Sequence, residues 1–218
     1  MSEEIDIESW MAELVERMCY TFGERLALVG IQGSRARGEA RADSDIDAVV
    51  AVEGLSPEDL ASYRALIASM PHTELACGFV GSPGLLASWP RHDVFNLVMD
   101  TRVVFGSFDF MDVDFTASDA RLSAKVGASE IYHAISHVLV FAEGSLEAIV
   151  AACVKSVFFV MRALRYAQTG EYPSSRAAMR QVASPEERMF LDAYDDPGAF
   201  DADELANALL TWSASVVE

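Results

Sequence analysis

The sequence predicts an α+β protein, with a small mixed β-sheet domain in the N-terminal half and a helical bundle after it. Two observations carry this. Up to about residue 110, short apolar runs ended by turn residues alternate with amphipathic helical stretches. From Thr116 onward the segments at 118–142 and 146–169 show helical spacing and end at Gly144 and Gly170, where a glycine closes a helix at low cost. The boundary is expected between Phe108 and Ser118, giving a first domain over 1–112 and a helical domain over 113–218.

Each element has its own local reason. Ile7, Trp10, Met11, Leu14, Val15 and Met18 recur at three- and four-residue spacing, so 6–25 reads as an amphipathic helix. LALVGIQ at 26–32 is a buried strand ended by Gly33 and Ser34, and DIDAVVAVE at 45–53 is a second strand. Ser56, Pro57 and Asp59 supply an N-cap, a first-turn proline and an acidic partner for a helix to about Met70. TELACGFV at 73–80 is the expected third strand. The run 93–106 is too apolar for a loop, but its period fits neither helix nor strand cleanly, so both remain open. Ser184, Pro185 and Glu187 repeat the capping signature for a later helix, and 201–217 supplies a last one.

The formal charge of −18 argues against strong binding to nucleic-acid backbones, which demands a positive surface, and it suits a small or cationic partner. Cys19, Cys77 and Cys153 are odd in number, far apart and free of CxxC pairs, so neither a disulfide framework nor a zinc site is expected. The acidic start MSEEIDIESW lacks a signal-peptide pattern, and no apolar run reaches the ~20 residues of a spanning helix. A soluble, cytoplasmic protein without membrane partners is the expectation, and the sequence allows a homodimer.

The chemistry concentrates in GSRARGEARADSDID, residues 33–47, where Arg35, Arg37 and Arg41 precede alternating aspartates. Gly33 lets backbone approach a ligand closely, and Ser34 offers a hydroxyl and amide donors to phosphate oxygens. On a strand, Asp45 and Asp47 share one face while Ile46 turns into the core. Two carboxylates on one face repel each other, an arrangement that bound Mg²⁺ makes favourable.

This stretch resembles the signature of the nucleotidyltransferase superfamily that includes DNA polymerase beta. The shared positions are Gly33, Ser34, Arg35, Arg37, Gly38, Ser44, Asp45 and Asp47. The resemblance implies transfer of a nucleoside monophosphate from a nucleoside triphosphate, with ATP the expected donor, to an acceptor hydroxyl using two Mg²⁺ ions. Asp45 and Asp47 would be catalytic metal ligands, and Gly33, Ser34, Arg37 and Ser44 would meet the nucleotide. The family pattern also requires a third carboxylate. Glu74, leading the apolar run ELACGFV, resembles the catalytic base of aminoglycoside adenylyltransferases, with Asp100 and Asp93 as rivals. The segment TGEYPSSRAAMRQVA at 169–183 is similar to a stretch of the helical domain of streptomycin and spectinomycin adenylyltransferases. There Arg176 stands where those enzymes carry a lysine, and it is equally readable as a triphosphate contact or a helix-surface arginine. His133 and His137 lie four apart without the glutamate of HExxH, which favours packing over zinc.

The leading expectation is a small-molecule nucleotidyltransferase with a hydroxylated, cationic, aminoglycoside-like acceptor. One alternative is a minimal nucleotidyltransferase antitoxin that modifies a protein or RNA partner. No Arg-x(4–6)-His ribonuclease motif accompanies it, so a fused toxin is not expected. A non-catalytic nucleotide-binding regulator is a third reading, against which the intact Gly33, Ser34, Asp45 and Asp47 speak.

Overall fold

The computed structural model describes residues 5–141 and 144–218. The chain divides into two compact units, one built from Met1–Pro90 and Leu97–Asp114, the other from Arg91–Asn96 and Phe115–Glu218.

The first unit opens with helix α1 (Ile7–Phe22), started by Asp6, whose carboxylate accepts the Ser9 N–H at 3.2 Å. Trp10, Met11, Leu14, Met18 and Phe22 form its buried face, as their spacing predicts. Strand β1 (Leu26–Gln32) runs into a single helical turn, α2 (Gly33–Ala36), and strand β2 (Ile46–Val52) returns antiparallel. Helix α3 (Pro57–Ala68) carries the capping box foreseen at Ser56 and Asp59. Strand β3 (Ala76–Gly81), helices α4 (Pro83–Ser88) and α5 (Arg91–Asp100) and strand β4 (Arg102–Gly106) complete the series. The sheet order is β3-β2-β1-β4, with β2 and β3 parallel and the other pairs antiparallel, so the sheet is mixed.

Alternation along β2 sorts its residues between two faces. Ile46, Ala48, Val50 and Val52, with Val29 and Ile31 of β1, pack under α1 and α3 in one apolar core. Each large side chain so buried contributes about 1.5–3 kcal/mol. Trp10 fixes the helix to the far end of this core by donating its indole N–H to the Pro71 carbonyl at 2.7 Å. The ambiguous stretch resolves into both forms: helix to Asp100, then strand β4 against β1. Only pairing with β1 makes the second part a strand, which is why its local period was uninformative. The expected third strand begins later, because 73–75 form a 3₁₀ turn.

The second unit holds α6 (Ala117–Phe141), α7 (Leu146–Thr169), α8 (Arg176–Val182), α9 (Pro185–Asp195) and α10 (Ala202–Val217), together with the first turns of α5. Gly170 closes α7 at φ 76°, its N–H reaching the Tyr166 carbonyl at 2.8 Å, and Ser184 with Glu187 forms the capping box of α9. Ala120, Ala124, Ala128, Ile131 and Ile135 of α6 and Val150, Val154, Val157 and Met161 of α7 are buried at helical spacing. Arg162 is 2% exposed, yet it lies 3.9 Å over the Tyr172 ring and donates to the Pro173 carbonyl at 2.7 Å. Among the described residues no helix is long and apolar enough to cross a membrane.

Two glycines of the first unit predict opposite responses to one added methyl. Gly78 lies in β3 at φ +128°, and a Cβ there would overlap the Ala48 carbonyl of β2. Gly84 sits within α4 with open space around it. In urea unfolding, Gly78→Ala should lose more than about 2 kcal/mol, through strain and a broken strand pair. Gly84→Ala should gain up to about 1 kcal/mol from helix propensity.

Candidate active site

The site begins where β1 stops. Gln32, the last residue of β1, pairs with Asp47 near the start of β2, so the turn leaving one strand lies beside the first carboxylates of the other. The Gln32 side chain donates to the Leu97 carbonyl at 2.6 Å and the Thr101 hydroxyl at 2.9 Å, tying the strand end to the end of α5. Gly33 then adopts φ +71°, and a Cβ on it would overlap the Asp47 carboxylate. Glycine is required there twice over, by its backbone angle and by the oxygen that takes the place of a side chain. The Ser34 hydroxyl accepts and donates no hydrogen bond among the described residues.

Asp45 and Asp47 flank the fully buried Ile46. Neither carboxylate is held by a hydrogen bond from another described residue. Burial pushes the Asp47 carboxyl above its ordinary value, and the charges of Asp45 and Asp100 push it further, while Arg37 and Arg35 pull it back. The Asp45–Asp47 pair expected from the sequence is therefore brought together.

The arginines of the loop turn inward. Arg35 is buried and donates to the Ser44 carbonyl at 2.7 and 3.1 Å and to the Asp45 carbonyl at 3.2 Å, which clips the loop shut just before β2. The Ser44 hydroxyl accepts the Arg41 N–H at 2.8 Å and shapes the same turn. Arg37, expected at the nucleotide, is 6% exposed and places its guanidinium on Asp100 at 2.7 Å and Glu39 at 3.1 Å. Desolvation acts to lower its pKa, but Asp100 and then Glu39 raise it further above the usual arginine value, so the cation is secure.

Among the three candidates for a third carboxylate, Asp100 is the one that acts on Asp47. It ends α5, is 5% exposed, and also accepts the Gly33 N–H at 3.3 Å. Glu74 lies in the 3₁₀ turn just before β3, the strand that runs parallel to β2, with its side chain 69% exposed and its carboxylate 3.9 Å from His72. Asp93 sits in the first turn of α5 beside His92 at 3.2 Å. Arg176 opens α8 in the second unit, where it meets Asp195 at 3.1 Å and lies 4.5 Å over Tyr194. His133 and His137 stack loosely along α6, ring centres 5.7 Å apart. Among the described residues no three His, Cys, Asp or Glu side chains converge into a ready metal cage.

Asp47 has a measurable consequence for stability. Its folded pKa is raised, so its ionised form is disfavoured by folding, and the penalty at neutral pH fades as pH falls through that raised value. Metal-free Asp47→Asn should therefore melt above the unmodified protein at pH 7, with the gap closing towards pH 4. A thermal melt across that range checks it, and a lower melting temperature at pH 7 would refute the assigned strain.

Residues 11–75, which span α1 to the turn before β3, match the family model of the nucleotidyltransferase domain. No protein of curated function matches the chain in sequence. Among solved structures, the spectinomycin adenyltransferase AAD(9) from Enterococcus faecialis, solved with ATP and spectinomycin, is similar over 96% of this chain and 98% of that one. The TM-score is 0.61 at 13% identity, a likeness of fold. Gly33, Ser34, Asp45 and Asp47 all lie inside the segment that matches the nucleotidyltransferase-domain model, in a chain that shares its fold with a spectinomycin adenyltransferase.

Proposed function

We propose that this protein is a Mg²⁺-dependent enzyme that moves a nucleoside monophosphate from a nucleoside triphosphate, with ATP the expected donor, to a hydroxyl of a small cationic acceptor of the aminoglycoside kind. One observation carries the reading: Asp45 and Asp47 stand together beside the Gly33–Ser34 turn with no hydrogen bond from another described residue holding either carboxylate. Their hard oxygen donors fit Mg²⁺, which usually takes one or two carboxylates plus substrate phosphates rather than a full protein cage. When bound, the ion neutralises charge that develops on the transferring phosphate.

The chain's own groups then divide the work. Asp45 and Asp47 hold the cation side of the site. The Ser34 hydroxyl and the amides of its turn face phosphate oxygens. In the transfer, the acceptor oxygen bonds to the α-phosphorus as that phosphorus parts from the bridging oxygen of pyrophosphate, and the hydroxyl proton passes to a nearby base or water. A structural relative solved with ATP and spectinomycin supports this choice of donor and acceptor class, and a charge of −18 would draw a cation in.

Asp47→Asn should lower transfer by about a thousandfold or more while the fold persists, because charge neutralisation at the phosphate is lost. Unchanged turnover would end the mechanism. Glu74→Gln should lower turnover by about 10²–10⁴, as expected of the general base that the resemblance assigns to it; turnover near normal would exclude it from that role. The broad test incubates the protein with Mg²⁺, each labelled triphosphate, and aminoglycosides, proteins and RNA. Label on an aminoglycoside is expected, whereas label on a protein or RNA would move the assignment to an antitoxin-type modifier.

A further inference from the structure

Asp100 is a carboxylate in an unfavourable place. It ends α5, where the helix dipole is negative, and its side chain is 5% exposed, so a carboxylate placed there is costly unless donors and a counter-ion meet it. Arg37 reaches both of its oxygens, at 3.0 and 2.7 Å, and the Gly33 N–H reaches one of them at 3.3 Å. Arg37 is itself buried and takes Glu39 at 3.1 Å on its other edge.

The contrast with Asp45 and Asp47 is informative. Those two are held by no hydrogen bond from another described residue, while both oxygens of Asp100 are engaged by donors within the protein. To ligate a metal, Asp100 would have to abandon a desolvated ion pair and leave Arg37 uncompensated, which is the costly way to break such a pair. Its contacts lead elsewhere. Gly33 begins the turn expected at the phosphates, and the space beside its Cα is filled by the Asp47 carboxylate, so a shift of Gly33 moves both.

We propose that Asp100 and Arg37 are a positioning pair: Asp100 anchors the Gly33 turn through its N–H, Arg37 locks Asp100, and neither binds the metal. This rests on the transfer reading above. It assigns the buried arginine of the loop to holding the nucleotide turn in shape rather than to touching the nucleotide.

The test separates metal binding from nucleotide use. Mn²⁺ binding, followed by electron paramagnetic resonance, is compared between the unmodified protein, Asp47→Asn, Asp100→Asn, and the charge-neutral double variant Arg37→Met/Asp100→Leu. The double variant removes both charges together and protects against misfolding of the single one. Asp47→Asn should weaken Mn²⁺ binding about tenfold or more, whereas the double variant should stay within about threefold while its KM for the nucleotide rises about tenfold and kcat changes little. Asp100→Asn, if folded, should resemble the double variant in KM, because two residues acting as one unit are not additive. Loss of Mn²⁺ from the double variant matching that of Asp47→Asn would overturn the proposal and make Asp100 a metal ligand. An unaltered nucleotide KM in the double variant would overturn it too. Failure of the unmodified protein to bind Mn²⁺ is a separate result, which removes the transfer reading and this inference together.

Discussion

The pairing of Gln32 with Asp47 across the antiparallel β1–β2 ladder sets the geometry of everything near the candidate site. It brings the turn that leaves one strand against the first carboxylate of the next, so closely that the Asp47 oxygen fills the volume a side chain at Gly33 would need. A slip of one residue in this register would send Asp45 and Asp47 to the core face and Ile46 to solvent. The core prevents that slip. Ile46, Ala48, Val50 and Val52 are buried beneath α1 and α3, and they set the strand's phase by their apolar area.

The clustering of positive charge in an acidic chain has a structural explanation. Arg35 and Arg37 are not spread over the surface of the loop but folded beneath it, one on the Ser44 and Asp45 carbonyls, the other on Asp100 and Glu39. Guanidinium groups suit this task because their planar fork satisfies several acceptors from one side chain. They also soften the repulsion among carboxylates that the site concentrates, since both lower the pKa of Asp47 while Asp45 and Asp100 raise it. Stability is given up locally where these carboxylates converge.

The helical unit shows a different balance, with long apolar faces and few polar groups inside. Beside the buried hydroxyls of Ser123 and Ser213 it holds the charged Arg162, accommodated by the Tyr172 ring and the Pro173 carbonyl. Tyr172 in turn donates to Asn96 at 3.2 Å and packs edge-on to Phe95, so a short piece of α5 is bound into the helical unit by aromatic contacts. That is why residues 91–96 cluster with 115–218 although the chain between belongs to the sheet unit.

How much was legible in the sequence follows from how far each signal reaches along the chain. The helices over 7–22, 57–68, 117–141 and 146–169, the strands at 26–32 and 46–52, and the caps at Ser56 and Ser184 rest on neighbours within a few residues, and they were readable. So was the proximity of Asp45 and Asp47, because two-residue alternation on a strand is a local rule. The split of 93–106 into helix and strand depends on the partner β1, some 70 residues earlier, and no local period encodes it. The same holds for the carboxylate beside Asp47. An arginine 63 residues away draws Asp100 inward, while Glu74 lies in a 3₁₀ turn with its side chain in water, and neither placement is encoded by near neighbours in the sequence. Residue type and spacing by themselves determined the strand, the turn and the paired aspartates. Long-range charge pairing decided which buried groups stand around them, because a buried ion is tolerated only where the fold brings its counter-ion.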